Sequence, residues 1–243
     1  MYADSVNSSL APIMFTGLAM FVFDFVVRQK MGGLNLSFYL VSQFPIIGPN
    51  SYSTPALWEN SQKIASEWFL PRTLELNYTA WDLHPFAKDC GWFGPPFRWD
   101  EERRFLLRCE LDAAFFHLYL PADKNSDWQP AEAESAEDMA RLKAAFPTPR
   151  HAVDYIMDTF PIVRRKDEAA HDGDYRTKRV ILEIYDAMQE AIRTGQPYRT
   201  CLDPPPGPPT DARGNYIQPA DWTPEIRAKY SGIIHQQRNG KEE

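Results

Sequence analysis

The sequence predicts a mainly helical α+β fold, in which a helical domain carries one small strand element after its first long helix. Apolar residues recur at steps of three and four in three long segments, which begin near Leu10, Glu101 and Asp174. This spacing builds one buried face of an α-helix. After Gly33, residues 34–47 alternate imperfectly between apolar and polar types, which is typical of a turn and a short strand. With 44% apolar and 14% aromatic residues among 243, the chain is able to bury a core.

Helix caps and helix breakers set the predicted order of elements. The predicted helices cover residues 10–31, 55–70, 101–120, 134–145, 174–193 and 222–235, with a short helix after Thr79 and an apolar pattern over residues 151–160. Gly32 and Gly33 end the first helix, because glycine adopts positive φ without steric cost. Pro71 ends the second helix. Asp100 caps the helix that follows it, and Gly195 ends the one over residues 174–193.

Composition divides the chain into three predicted regions. Residues 1–49 carry the first helix and the strand, residues 50–200 form a helical domain, and residues 201–243 form a proline-rich linker and a tail helix. Within the second region, about residues 121–149 are rich in Pro, Ala, Asp and Glu, which indicates an exposed acidic insertion. Residues 203–209, DPPPGPP, are too rich in proline for a helix or an internal strand, so an extended segment is predicted there.

The overall composition argues against several classes of protein. A formal charge of −7 argues against a free-standing, strongly basic nucleic-acid binder, because phosphate contacts need clustered Lys and Arg. Cys90, Cys109 and Cys201 form no CxxC pair, so neither a disulfide framework nor a zinc site is predicted, and a reducing cytoplasm fits best. The apolar run over residues 10–27 is interrupted by Asp24 and lacks a basic flank, which favours a buried helix over a membrane segment.

The sequence predicts no catalytic site and no metal site. The five histidines lack the HxH or HxxxH spacing that places two imidazoles on one metal ion, and no GxSxG, Walker or GxGxxG motif is present. His171, Asp172 and Asp174 lie in an HDGD turn whose carboxylates could hold a cation, although Asp and Gly are also ordinary turn residues. An unrecognised hydrolase would need these side chains to meet another polar group in one pocket.

Basic residues at the end of the first helix are the first candidates for contact with DNA. The candidates combine two cationic side chains, backbone amides and one side-chain amide, which are able to bond phosphate or adenine. They are Arg28, Lys30, Gly32, Gly33 and Asn35. A structural role is the other interpretation, because cations stabilise the C-terminus of a helix and Asp24 stands four residues before Arg28. The secondary candidates lie among acidic residues, so ion pairing is their default interpretation: Arg164, Arg165, Lys166, Arg176 and Arg179.

Five sequence blocks carry a family resemblance. Residues 21–49, FVFDFVVRQKMGGLNLSFYLVSQFPIIGP, combine a DxxxRQK pattern with GG, a polar turn and an apolar run that ends in prolines. The later blocks are LNYTAWDLHPFAKDCGW, GPPFRWDEERRFLLRCELDAAFFHLY, VDYIMDTFPIVRRKDE and YRTKRVILEIYDAM. Together they cover roughly half to two-thirds of the chain and resemble the C-terminal portion of large, type IIG-like, adenine-specific DNA methyltransferases of restriction-modification and phage-defence systems. Residues 21–49 resemble the end of the target-recognition region in that family.

The resemblance implies a non-catalytic DNA-recognition or C-terminal module of such a methyltransferase. Its implied partners are double-stranded DNA and a methyltransferase catalytic domain or subunit. The family's glycine-rich methyl-donor loop is missing, and Pro206 follows Asp203-Pro204-Pro205 where the family's catalytic loop has an aromatic residue. No catalytic residue and no cofactor is therefore assigned here, and S-adenosylmethionine is expected in the parent or partner domain. The alternative, which the net acidic charge favours, is a structural interaction module that docks a partner subunit without direct DNA contact.

Overall fold

A computed structural model describes residues 10–33, 35–59, 63–129 and 135–236 of the chain. In these ranges the fold is mainly helical, as predicted, and contains eleven α-helices. They are α1 Leu10–Leu18, α2 Phe21–Lys30, α3 Phe38–Val41, α4 Ala65–Asn77, α5 His84–Asp89, α6 Glu101–Tyr119, α7 Ala136–Ala145, α8 Pro149–Asp158, α9 Pro161–Ala170, α10 Arg176–Thr194 and α11 Pro224–Tyr230. Three short 3-10 helices cover Pro49–Ser53, Trp81–Leu83 and Pro219–Asp221.

The strand element predicted after Gly33 is not confirmed. Leu34 lies outside the described residues, and Phe38–Val41 form the single helical turn α3 instead. The side chain of Ser37 caps this turn by accepting a hydrogen bond from the backbone N–H of Leu40 at 3.3 Å. The backbone N–H groups of residues 40–46 donate to carbonyls three or four residues earlier, or two earlier for Ile46. In the described part of the chain, therefore, no neighbouring strand pairs with this segment.

The first predicted helix is divided into two. Helices α1 and α2 are bent by 57° at a break formed by Ala19 and Met20. At the break, the backbone N–H of Phe21 donates to the Asp112 carboxylate of α6 at 2.8 Å, which satisfies one of the orphan donors at the start of α2. In the described ranges no single helix is long and apolar enough to cross a membrane, although α1 and α2 taken together pass on length and composition.

The main core surrounds α6 and α10, which pack side by side. Helix α1 packs chiefly against α4, whereas α2 lies against α6 and α8. Gly17 in α1 allows the close approach to α6, because a Cβ atom there would lie 2.7 Å from the ring of Phe115. Aromatic rings fill the centre through edge and tilted contacts, including those of Trp58, Trp68 and Phe69. The packing therefore ties α1 and α2 to the central helices.

The boundaries of some helices differ from the predicted ones. The helix predicted over residues 55–70 starts later, at Ala65, and continues through Pro71 to Asn77. A proline inside a helix removes one hydrogen bond and costs about 3 kcal/mol. Here, Arg72 and Glu75 beyond the proline are held in buried ion pairs with α6, which favours continuation of α4. Helix α9 was not predicted and contains the basic triplet.

The segment after α10 wraps back over the helices. Residues 203–209 form no helix, as predicted, but they follow a bent course, with Gly207 at a positive φ, and not the extended one that was predicted. The backbone N–H of Gly207 donates to Glu75 Oε2 at 2.7 Å. Further along, the N–H of His235 donates to the carbonyl of Pro96 at 2.9 Å, and the N–H of Arg98 donates to the carbonyl of Ile233 at 2.7 Å. The tail thereby packs on a second apolar cluster made by the end of α4 and the loop before α6.

Gly207 is a position where only glycine fits. Its φ is +83°, and an added Cβ would lie 2.8 Å from Cα of Pro71. We expect Gly207→Ala to lower the free energy of unfolding by about 2–4 kcal/mol, since it combines backbone strain with a clash against main chain. Chemical denaturation measures this change. Gly48→Ala is the matched control, because Gly48 has a φ of −73° and open space around its Cα, and it should leave stability nearly unchanged.

Candidate nucleic-acid interface

Helix α2 is fixed at its start and open at its end. Asp112 binds its first N–H group, and the ring of Phe21 packs edge-on against Phe160, with 4.7 Å between centroids. One turn later, Phe25 meets Tyr155 of α8 at 6.3 Å. The last turn, with Arg28 and its neighbours, is exposed. Rigid packing of the first two turns therefore presents the last turn to solvent.

Arg28 is held in place but remains accessible. Its Nε and Nη2 donate to the two Asp24 oxygens at 2.9 and 2.8 Å, and its side chain is 56% exposed. The guanidinium carbon lies 5.0 Å from the centroid of the Phe160 ring, a cation–π distance. The hydrogen bond with Asp24 raises the pKa of Arg28 above its ordinary value. The predicted pairing of Asp24 with Arg28 is thus present, and it orients a planar donor on the surface.

The other primary candidates lie on the same surface. Lys30, Gly32, Gly33 and Asn35 are all exposed. A Cβ atom added at either glycine would find no atom within 4 Å, so a ligand is able to approach the main chain closely. We call Arg28, Lys30, Gly32, Gly33 and Asn35 the basic corner. It offers two cations, open backbone and one side-chain amide to an anionic partner.

An exposed aromatic segment follows the basic corner, and sequence reasoning missed it. We call residues 35–46 the aromatic arm; Phe38 is 88% exposed and Tyr39 is 74% exposed. The arm is anchored at its far end, where Phe44 packs edge-on against Phe23 with 5.8 Å between centroids and Ile47 joins the main core. A strand was predicted here, so apolar residues were expected to face the core. The available signal was the absence of any acidic residue between Asp24 and Glu59.

The secondary candidates divide into paired and open side chains. Arg164 pairs with Glu168 at 2.7 Å, and Arg179 pairs with Asp174 and Glu183. Arg176 pairs with Glu102 of α6. These contacts agree with ion pairing, the default interpretation. The two remaining side chains of this set, Arg165 and Lys166, are exposed on α9.

Helix α9 begins beside the basic corner. Phe160, whose ring lies against the Arg28 guanidinium, is the residue directly before α9. The end of α2 and the start of α9, more than 120 residues apart in sequence, therefore meet at one ring. This places the basic triplet of Arg164, Arg165 and Lys166 within the first six residues of a helix that starts at the corner.

Of the HDGD residues, Asp174 lines a surface pocket of about 350 Å³ together with Arg150 and Lys178 of neighbouring helices. Asp172 and Gly173 adopt positive φ values of 50° and 87°, and Asp174 pairs with Arg179 at 2.8 Å. Within the described ranges, no group of three or more His, Cys, Asp or Glu residues is placed to hold a metal ion. The HDGD residues form the turn between α9 and α10.

A groove of about 1380 Å³ lies between α4 and the proline-rich segment. Arg72 is among its lining residues, but its guanidinium is already bound to Glu110 of α6 and to the carbonyl of Trp68, both at 2.8 Å. The indole Nε1 of Trp68, also at the groove, is buried and has no hydrogen-bond partner among the residues that the structure describes. Glu110 also accepts from the hydroxyls of Tyr198 and Thr200, which lead into the proline-rich segment, so the same carboxylate joins α4, α6 and that segment.

No protein-family model, curated protein or solved structure matches the chain. The interpretation of the basic corner therefore depends on its own geometry.

Proposed function

We propose that this chain is a non-catalytic DNA-recognition module that works with the catalytic domain or subunit of an adenine-specific DNA methyltransferase in restriction-modification or phage defence. The methyl donor S-adenosylmethionine would belong to that catalytic partner, and the site of action would be the cytoplasm. The single observation that carries the proposal is the basic corner, where cations and open main chain share a surface without acidic neighbours other than Asp24 in the same stretch of chain.

The chemistry of the corner suits the DNA backbone. Guanidinium and ammonium groups bind phosphate, and main-chain N–H groups do so where no side chain blocks the approach. The ion pair between Arg28 and Asp24 is exposed, so exchange of the carboxylate for a phosphate oxygen costs little. The chain as a whole carries a charge of −7, and a local cationic surface is therefore needed to bring a polyanion close.

The double variant Arg28→Ala/Lys30→Ala tests the proposal. We expect weaker binding to duplex DNA, and we expect the slope of log K against log salt concentration to become shallower by about 1.8, which corresponds to two lost phosphate contacts. Titration of labelled duplex at several salt concentrations measures both quantities, with the chain alone and in the presence of the methyltransferase partner.

The double variant Arg141→Ala/Lys143→Ala is the matched control. It also removes two exposed, ion-paired cations, but from the acidic region around α7. It should leave the salt slope unchanged. If both variants bound duplex DNA like the original chain, the basic corner would not be a DNA contact. If, in addition, the chain formed a stable complex with the methyltransferase partner, the interaction module without DNA contact would be the correct function.

A further inference from the structure

We infer that Phe38 and Tyr39 stack on nucleobases, so that the aromatic arm binds unpaired or unstacked bases while the basic corner binds the phosphates beside them. This inference rests on the proposed function, because the two surfaces are consecutive in the chain and would contact one nucleic acid.

The first argument is the exposure of the two rings. Phe38 is 88% exposed and Tyr39 is 74% exposed, although burial of an aromatic ring away from water is favourable. In the described part of the chain, neither ring packs on another ring or on a cation. Trp99 shows the contrast, since it is 60% exposed but carries Arg104 at 3.7 Å over its face. The rings of Phe38 and Tyr39 are therefore largely accessible to a flat ligand.

The second argument is that the arm is shaped locally. Ser37 caps the turn, and Ser42 Oγ donates to the carbonyl of Tyr39 at 2.9 Å. The edge contact of Phe44 with Phe23 fixes the end of the arm to α2. The rings are consequently presented on an ordered turn, which reduces the entropy lost when a ligand binds.

The third argument is charge, and it favours nucleic acid over an apolar protein surface. Residues 25–58 contain no Asp or Glu, and their charged side chains are Arg28 and Lys30. In a chain with a net charge of −7, this is a stretch with local positive charge and exposed aromatic rings together. That combination matches single-stranded nucleic acid, in which phosphates bind cations and every base offers a face for stacking.

The double variant Phe38→Ala/Tyr39→Ala tests the inference. The probes are a labelled oligothymidylate of about 16 nucleotides and a duplex of equal length. We expect the affinity for the single strand to fall by about tenfold or more, because stacking on two rings is lost. The salt slope should stay constant, since the phosphate contacts remain. The affinity for the duplex should change much less.

Two further variants control for the loss of apolar surface and for the loss of aromatic faces. Phe15→Ala removes a ring that is 71% exposed on α1, outside the arm, and should bind both probes like the original chain. Phe38→Trp/Tyr39→Trp keeps two stacking faces and should retain affinity for the single strand. Equal thermal stability of all variants is expected, because the substituted side chains are exposed.

The outcomes separate this inference from the proposed function. If Arg28→Ala/Lys30→Ala weakens duplex binding while Phe38→Ala/Tyr39→Ala binds the single strand within twofold of the original chain, the inference is wrong and the DNA-recognition proposal stands. If the original chain binds neither probe, both are wrong. If Phe38→Ala/Tyr39→Ala leaves the single strand bound but abolishes assembly with a methyltransferase subunit, the arm is a protein-docking surface and the inference is overturned.

Discussion

Replacement of Glu110 by alanine should lower the free energy of unfolding by about 3–5 kcal/mol, because a buried arginine would lose its charge partner. Glu110 in α6 is fully buried and accepts hydrogen bonds from Arg72 Nε at 2.8 Å, from the hydroxyl of Tyr198 at 2.8 Å and from Thr200 Oγ1. Arg72 is itself buried and lies over Trp68, with its guanidinium carbon 3.5 Å from the ring centroid. Water cannot replace the missing carboxylate easily at such a site, so the penalty falls on the folded state.

Urea denaturation measures the effect as a lower midpoint with an unchanged slope. Glu137→Ala is the matched control, because it removes a carboxylate from an ion pair with Arg141 whose side chains are 75% and 73% exposed. Such a pair is worth at most about 1 kcal/mol. Glu110→Gln keeps an acceptor for the hydroxyls without the charge and should fall between the two. Equal midpoints for Glu110→Ala and Glu137→Ala would show that the buried pair does not stabilise the fold.

The same network explains how the proline-rich segment is held. Glu110 reaches Tyr198 and Thr200, which precede the prolines, and Glu75 accepts from Gly207 within them. Glu75 is paired with Arg103 of α6, whose Nη2 donates at 3.1 Å. Each carboxylate thus joins a helix–helix ion pair to the wrapped segment. The segment forms no helix because proline disfavours one there, but its position follows from two buried glutamates.

Local signals predicted the helices whose ends are decided locally. The side chain of Asp100 accepts from the N–H of Arg103 at 2.7 Å and starts α6, and Gly195 adopts a φ of 68° at the end of α10. The helix end predicted at Pro71 was wrong, because tertiary contacts that no local pattern reveals exceed the cost of a proline inside α4. The strand after Gly33 failed for the opposite reason, since a strand needs a neighbour and the described residues offer none beside the arm.

The candidate site was predictable in part for similar reasons. Asp24 and Arg28 stand four residues apart on one helix, so their pairing follows from helix geometry. The partners of Arg176 and the meeting of Arg28 with Phe160 depend on how distant helices pack, and a single sequence does not reveal this. The exposure of Phe38 is likewise a tertiary property, because apolar side chains are by default expected in a core.

Two buried titratable groups of α6 should give the protein opposite dependences on pH. His117 stacks on Tyr185 of α10 with 4.0 Å between ring centroids, and burial lowers the pKa of His117 from 6.5 to about 4. Asp112, which binds the start of α2, has its pKa raised by burial from 3.8 to about 7, against the effect of the hydrogen bond from Phe21. In both groups, therefore, burial favours the neutral form.

The signs follow from which state binds more protons. Between pH 6.5 and 4, the unfolded chain protonates His117 and the folded chain does not, so stability falls as pH falls, by about 3 kcal/mol in total. Between pH 3.8 and 7, the folded chain keeps the proton on Asp112 that the unfolded chain releases, so stability falls as pH rises, by about 4 kcal/mol. From pH 4 to 6.5 the two contributions oppose each other and nearly cancel.

Single substitutions should expose each contribution. In Asp112→Asn, His117 is the one of the two groups that still titrates. We therefore expect the free energy of unfolding to drop by about 3 kcal/mol from pH 7 to pH 4, relative to the double variant Asp112→Asn/His117→Gln. His117→Gln should show the reverse, with stability that drops by about 4 kcal/mol from pH 4 to pH 7. Urea denaturation at half-unit pH intervals measures both curves. If the free energy of unfolding changed with pH in the same direction in both single variants, burial would not have opposite effects on the pH dependence of these two groups.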